Sequence, residues 1–210
     1  MNTKQKILKE ALHLFSQKGY EAVSVEQIAE AVGIKAPSLY KHYKGKQDIF
    51  HAIFEETTNR YSEFTEQITV HMQNTEQELQ VFDELTEDLL IDKVRKLFMY
   101  SLHDEFVSRF RRMMTIEQFR SPELAELYTK RYVDEMNGYH TELFRRIISV
   151  GGMRNEDPEL LAMMYDAPII TLIGVCDRQP EKEQECLKKL EEHVRLFYRV
   201  FHVERWRKEL

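Results

Sequence analysis

Three observations predict an all-α protein. Seven Gly and five Pro are few for 210 residues. The runs between them are rich in the helix formers Glu, Leu, Lys, Met and Arg, and apolar residues recur in those runs at three- and four-residue spacing. With 42% hydrophobic and 31% charged residues the chain has the balance of a globular protein with a sizeable core. Its length suits one domain, or a small domain joined to a larger one.

The first helix follows Thr3, a plausible N-cap, with Ile7, Leu8, Ala11, Leu12 and Phe15 on one face until Lys18-Gly19 supplies a stop. Ser24-Val25-Glu26-Gln27 is a capping box, in which hydroxyl and amide side chain each satisfy the other residue's backbone N–H. The second helix therefore starts there. Its face is Val25, Ile28, Ala29 and Val32, and Gly33 takes the left-handed conformation that ends it. Pro37 follows after three residues and opens a third, short helix, because proline is best tolerated in a first turn. Two helices joined by a tight Gly-containing turn, with a third in support, make a helix-turn-helix arrangement.

The third helix is expected to reach Tyr43, about two turns or roughly 10 Å. Leu39 and Tyr43, four apart, face the core, which leaves Lys35, Ala36, Pro37, Ser38, Lys41 and His42 on or near the outer side. Small Ala36 and Pro37 permit close approach to a thymine methyl, and Lys35 and Ser38 can bond base edges or phosphates. Tyr40 and His42 carry polar tips suited to phosphate oxygens. Lys46, at the start of the next helix, adds its charge to orphan backbone N–H groups, an anion site.

Charge agrees with this division. Residues 1–46 hold eight lysines against four glutamates, a net +4, which leaves −10 for the other 164 residues of a chain whose total is −6. A basic end on an acidic body suggests a nucleic-acid-facing segment.

Residues 3–54 resemble the DNA-binding domain of the TetR family of transcriptional regulators. The resemblance rests on Phe-x-x-x-Gly-Tyr at the end of helix one, Ile-Ala-x-x-x-Gly-Ile in helix two and Leu-Tyr-x-His-Tyr-x-x-Lys after it. It implies phosphate contacts by Ser24, Tyr40, His42 and Lys46, and base contacts near Lys35, Ala36, Pro37 and Ser38. Pro37 stands where many members have a small residue such as Gly, which leaves the operator preference open.

A long amphipathic helix is expected from Lys46 to about Met72, carrying Ile49, Phe50, Ile53, Phe54, Tyr61, Phe64 and Ile68. Asn74 to Asp92 reads as a short helix and a loop. Further helices are expected over 92–103, 104–118, 122–149, 158–176 and 182–203, with breaks at Ser121-Pro122, Gly151-Gly152, Asp157-Pro158 and Gln179-Pro180. The domains expected are 1–46, the helix-turn-helix domain, and 47–210, a helical bundle.

The last two helices are apolar on more than one side. Leu187, Leu190, Val194, Phe197 and Phe201 step as a coiled-coil seam does. A two-fold dimer made by these two helices from each subunit would bury them, and the resemblance implies the same four-helix interface. Intrachain packing is the competing explanation. The resemblance also implies an effector pocket in the region of Phe98, Met99, Tyr100, Met113, Met114, Phe119, Tyr128, Tyr132, Tyr139 and Phe144, suited to a small apolar or aromatic molecule. No ligand residue is assigned, since aromatics at helical spacing are more often plain core. Arg109, Arg111 and Arg112 read as a solvated charged face.

No Gly-x-Ser-x-Gly, P-loop or His-Glu-x-x-His occurs, and the di-iron pattern Glu-x-x-His occurs once, at Glu10 to His13. No enzyme activity, catalytic residue, metal or cofactor is expected. Cys176 and Cys186 lack a metal or disulfide pattern and read as free, packed thiols. The N-terminus lacks the apolar region of a secretory signal, and no stretch approaches about 18 uncharged apolar residues, so a soluble cytoplasmic protein away from the membrane is expected. The function expected is that of a homodimeric, ligand-responsive repressor that binds a palindromic double-stranded DNA operator and is released by a small-molecule effector. A regulator acting through protein partners alone is the competing reading.

Overall fold

The computed structural model describes residues 2–68, 70 and 86–203. Among them the helices are α1 (Thr3–Lys18), α2 (Val25–Val32), α3 (Ala36–Leu39), α4 (Lys46–Gln67), α5 (Glu87–His103), α6 (Glu105–Glu117), α7 (Pro122–Thr129), α8 (Glu135–Ser149), α9 (Pro158–Arg178) and α10 (Glu183–Phe201). A π-helical turn, Lys130–Asp134, lies between α7 and α8, and a 3-10 turn, Pro180–Lys182, precedes α10. The described residues contain no strand beyond one isolated bridge, Met153 with His202.

The N-cap of α1 is Asn2, one residue before the Thr3 expected. Asn2 at that place puts Gln5 at the third helical position, where the two complete a capping box. The α2 box forms as read, with Ser24 Oγ accepting from Gln27 N at 3.3 Å and Gln27 Oε1 accepting from Ser24 N at 2.9 Å. Gly33 is left-handed (φ 79°, ψ 31°), and Ile34 N–H reaches back to Ala29 O at 2.9 Å, which closes the helix end with a 6→1 bond. The helix expected over 92–103 begins earlier, at Glu87. The expected end of α4 near Met72, and residues 74–85 of the Asn74 to Asp92 stretch, lie outside the described residues.

By its packing the chain divides into two compact units, Met1–Glu63 with His103–Tyr128, and Phe64–Leu102 with Thr129–Leu210. The first unit is larger than the 1–46 domain, because α6 packs along α1. Lys9 pairs with Glu105 at 3.5 Å, Arg109 Nη1 lies 2.7 Å from His13 Nδ1, and Glu117 lies against Gly19. The near-constant offset in number makes α1 and α6 parallel neighbours. The core of this unit includes Ile7, Leu12, Phe15, Ile28, Leu39, Ile49, Ile53, Phe110, Met113 and Met114, all buried. Each such side chain contributes roughly 1.5 to 3 kcal/mol by leaving water.

In the second unit α9 packs on α8 and on α10. Its core joins Phe98, Phe144, Ile147, Leu161, Tyr165, Leu187, Leu190, Val194 and Phe197. The Leu187, Leu190, Val194 and Phe197 seam of α10 is thus buried against its own chain and is not an open face, a correction to the dimer seam read from spacing. A monomer buries it because α8 and α9 lie on that side. The free cysteines Cys176 and Cys186 are in the same core. Burial, and then the Cys186 thiol, push Cys176 up to about 12, so it carries no thiolate at neutral pH.

Among the described helices α9 is the one long and apolar enough to cross a membrane by composition, with a mean hydropathy of 1.6. It contributes buried core residues, as the core helix of a globular bundle does.

Candidate nucleic-acid interface

The α3 element is shorter than the two turns expected. It is one α-helical turn, Ala36–Leu39, begun with Lys35 as N-cap and Pro37 in the first turn. The chain then tightens, with His42 N–H bonding Leu39 O at 2.8 Å and Tyr43 N–H bonding the same oxygen at 3.1 Å. Leu39 and Tyr43 are buried, as their spacing requires. Lys35, Pro37, Lys41 and His42 are exposed, Ala36 and Ser38 half-buried, and Tyr40 is 51% exposed. The structure therefore gathers the expected base-facing residues and two of the four phosphate-facing ones on the outer side of one short element.

The other two are placed differently. Ser24 is exposed at the α2 N-terminus, but its oxygen serves the capping box. Glu26 stands beside it, its carboxyl held below the usual range by its own backbone N–H and then by the Ser24 hydroxyl. Lys46 donates to Tyr20 O at 3.0 Å and Glu21 O at 3.3 Å, and lies over the Tyr20 ring at 4.4 Å. Its ammonium closes the turn after α1, so a phosphate at that point would have to share it with two carbonyls.

Other lysines of the basic segment also serve the fold. Lys6 donates to Val32 O at 2.8 Å, placing a cation at the C-terminal end of α2 where the helix dipole favours it. Lys4 lies over the Tyr43 ring at 5.3 Å. The positive charge left at the surface around α3 is that of Lys35, Lys41 and Lys44. Sequence reasoning missed this because the partners are 25 to 40 positions away.

Of the three arginines expected to form a solvated face, Arg112 alone is exposed. Arg111 is buried, and Arg109 pairs with Glu105 at 2.8 Å and with His13. Phe119, expected among the aromatic lining, is 87% exposed. Met113 and Met114 lie in the core of the first unit, Phe98 and Phe144 in that of the second.

Residues 7–53 match the family model described as bacterial regulatory proteins, tetR family. Those residues, the N-terminal helix-turn-helix segment, are thus similar to the DNA-binding domain of that family. The biofilm operon icaADBC negative transcriptional regulator IcaR of Staphylococcus epidermidis is 39% identical over 61 residues, covering 29% of this chain and 33% of IcaR. The transcriptional repressor ComR of Escherichia coli is 40% identical over 55 residues, covering 26% of each. The match thus spans a third or less of these relatives' length. They are named regulators of transcription, not enzymes.

Whole-chain likeness is to solved TetR-family structures. SmeT, the repressor of the Stenotrophomonas maltophilia efflux pump SmeDEF, superposes with a TM-score of 0.67 at 19% identity, covering 98% of this chain and 93% of SmeT. NalD, the secondary repressor of the Pseudomonas aeruginosa pump MexAB-OprM, gives 0.64 at 22% identity, covering 96% and 97%. At this identity the likeness shows the fold: an N-terminal helix-turn-helix and a helical C-terminal region.

Proposed function

We propose that this chain is a TetR-family regulator, a homodimeric, ligand-responsive repressor that binds a palindromic operator and is released by a small apolar or aromatic effector. The observation that carries the DNA-binding part is the outer face of α3, where Lys35, Ala36, Pro37 and Ser38 stand together above a buried Leu39. One turn of helix reads few bases, so a symmetric pair of such elements is needed for specificity. For pairing, α9 supplies an exposed apolar stripe: Leu160 and Met164 lie on it, with Met163 beside them at 54% exposure. Its exposed positions 160, 164, 167 and 171 step by four, three and four. SmeT has been solved with triclosan, and FrrA is described as flavonoid-responsive, which supports an effector of similar character here.

Titration of the full-length protein against its own upstream DNA at several salt concentrations tests the reading. Binding should weaken steeply with salt as phosphate contacts release counterions. Lys41→Ala should weaken cognate and random DNA alike, whereas Lys35→Ala and Ser38→Ala should change the preferred sequence. Salt-independent binding, or equal losses on both DNAs for all three variants, would refute it. Sedimentation of Met164→Glu should shift the protein toward monomer.

A further inference from the structure

The second unit holds a group of buried polar atoms that its own fold leaves unused. Asp166 on α9 is 1% exposed, and neither of its carboxylate oxygens accepts a hydrogen bond. His140 on α8 brings Nδ1 to 2.8 Å from Asp166 Oδ1, yet the two make no hydrogen bond and Nδ1 is without another partner. One turn earlier on the same side of α8, Asn137 Oδ1 is also buried and unpartnered. Unmet polar atoms in a low-dielectric interior are expensive, and several in one place call for a missing partner.

The atoms themselves define the character of that partner. Both Asp166 oxygens and Asn137 Oδ1 only accept while the carboxyl is ionised, so the partner must donate. A carboxylate favours a donor that is also a cation. Around the cluster, His140 meets Tyr139 at 4.8 Å, Tyr165 at 4.9 Å and Phe144 at 5.6 Å between ring centroids. Aromatic faces attract a cation and cover an apolar body. His140 is 15% exposed while Asp166 is sealed behind it, so approach is from the His140 side.

Local geometry supports a site at this place. The π turn Lys130–Asp134, closed by Glu135 N–H on Lys130 O, precedes the turn that carries Asn137 and His140. An extra residue in a helix rotates the residues after it by about 100°, and such turns recur at functional sites.

We infer that Asp166, with His140 and Asn137, is the polar anchor of an effector site whose ligand is an organic cation, a protonated amine on an aromatic body. This rests on the ligand-responsive reading above and deepens it. The test is calorimetric titration of the full-length protein with 2-naphthylmethylamine and with its neutral counterpart 2-naphthylmethanol. Wild type should bind the amine about tenfold or more tightly than the alcohol, the worth of one charge-assisted hydrogen bond. Asp166→Asn should erase that preference and leave alcohol binding within about twofold. Should Asp166→Asn fail to fold, Asn137→Leu should lower amine affinity in the same assay. Equal binding of the two compounds, no binding of either, or an amine preference that survives Asp166→Asn would overturn the inference, leaving a hydrated structural carboxylate. Amine binding that depends on Asp166 but leaves operator binding unchanged would uphold the site and sink the ligand-responsive reading.

Discussion

Each unit of the molecule buries one acidic side chain among its described residues, and the two are housed in opposite ways. Glu117 in the first unit and Asp166 in the second are each 1% exposed. Glu117 has an arginine: Arg120 Nη1 donates to its Oε1 at 3.1 Å, while Oε2 is buried without a hydrogen-bond partner and the rest of that guanidinium reaches solvent. Asp166 has a histidine nitrogen at 2.8 Å that makes no hydrogen bond to it, ringed by aromatics. The first carboxylate is a structural seat, held by a permanent charge. The first thus has a donor on one oxygen and the second on neither, and that difference marks a site that stability alone would not build.

The largest effect expected from disturbing the Glu117 seat is at Gly19. Its backbone (φ 86°, ψ 155°) lies in a region essentially restricted to glycine, and a Cβ there would sit 2.7 Å from Glu117 Oε1 and 2.9 Å from Arg120 Nη1. Gly19→Ala should cost about 3 kcal/mol, the upper end for such a conformation, because the clash also displaces the ion pair. A urea midpoint measured beside wild type reads this directly. Gly33→Ala is the control: its left-handed backbone has nothing within 4 Å of the new methyl, and the cost should be about 1 kcal/mol.

Arg120→Ala separates the two acids further. It leaves Glu117 buried without its donor and should lower stability by about 1 to 2 kcal/mol, with little Coulomb contribution because the arginine is largely exposed. Amine binding should not change. A shift in amine affinity in Arg120→Ala, or an intact preference in Asp166→Asn, would show that the two carboxylates are not the different devices their surroundings indicate.

Sequence pattern reached some of these features and not others, for physical reasons. The capping box of Ser24 and Gln27, the left-handed stop at Gly33 and the inward turn of Leu39 and Tyr43 depend on residues within a few positions of one another, and they are where the pattern puts them. The single-turn length of α3 was not legible, since proline marks a start and nothing in Tyr40-Lys41-His42 marks an early end. The parallel pairing of α1 with α6 joins residues 96 to 98 apart in number, so neither the Gly19 seat nor the neutralised Arg109 could be read locally. His140 and Asp166 are ordinary polar residues in amphipathic helices until α8 and α9 are packed together. The α10 seam was legible as apolar, but spacing alone does not say which protein surface covers it.

The smallest expected effect belongs to a third buried polar group, the Tyr43 hydroxyl, which lies in the first unit without a hydrogen-bond partner. Burial, then the Asp48 and Glu56 carboxylates, raise Tyr43 from 10.0 to about 12. The folded state thus holds the phenol proton more tightly than the unfolded chain, and the associated stability is fully present below pH 10. As pH rises from about 10 to about 12 the unfolded chain loses its proton first, so stability falls across that window. Tyr43→Phe removes both the unmet hydroxyl and the titration, while the ring still lies beneath the Lys4 ammonium. At neutral pH the variant should match wild type or exceed it by up to about 1 kcal/mol. Between pH 10 and 12 its urea midpoint should fall less steeply than that of wild type. A loss of stability at neutral pH would mean that the hydroxyl has a partner in solution, and of the two unmet groups of the first unit, the Tyr43 hydroxyl and Glu117 Oε2, the second would remain to set against the Asp166 cluster.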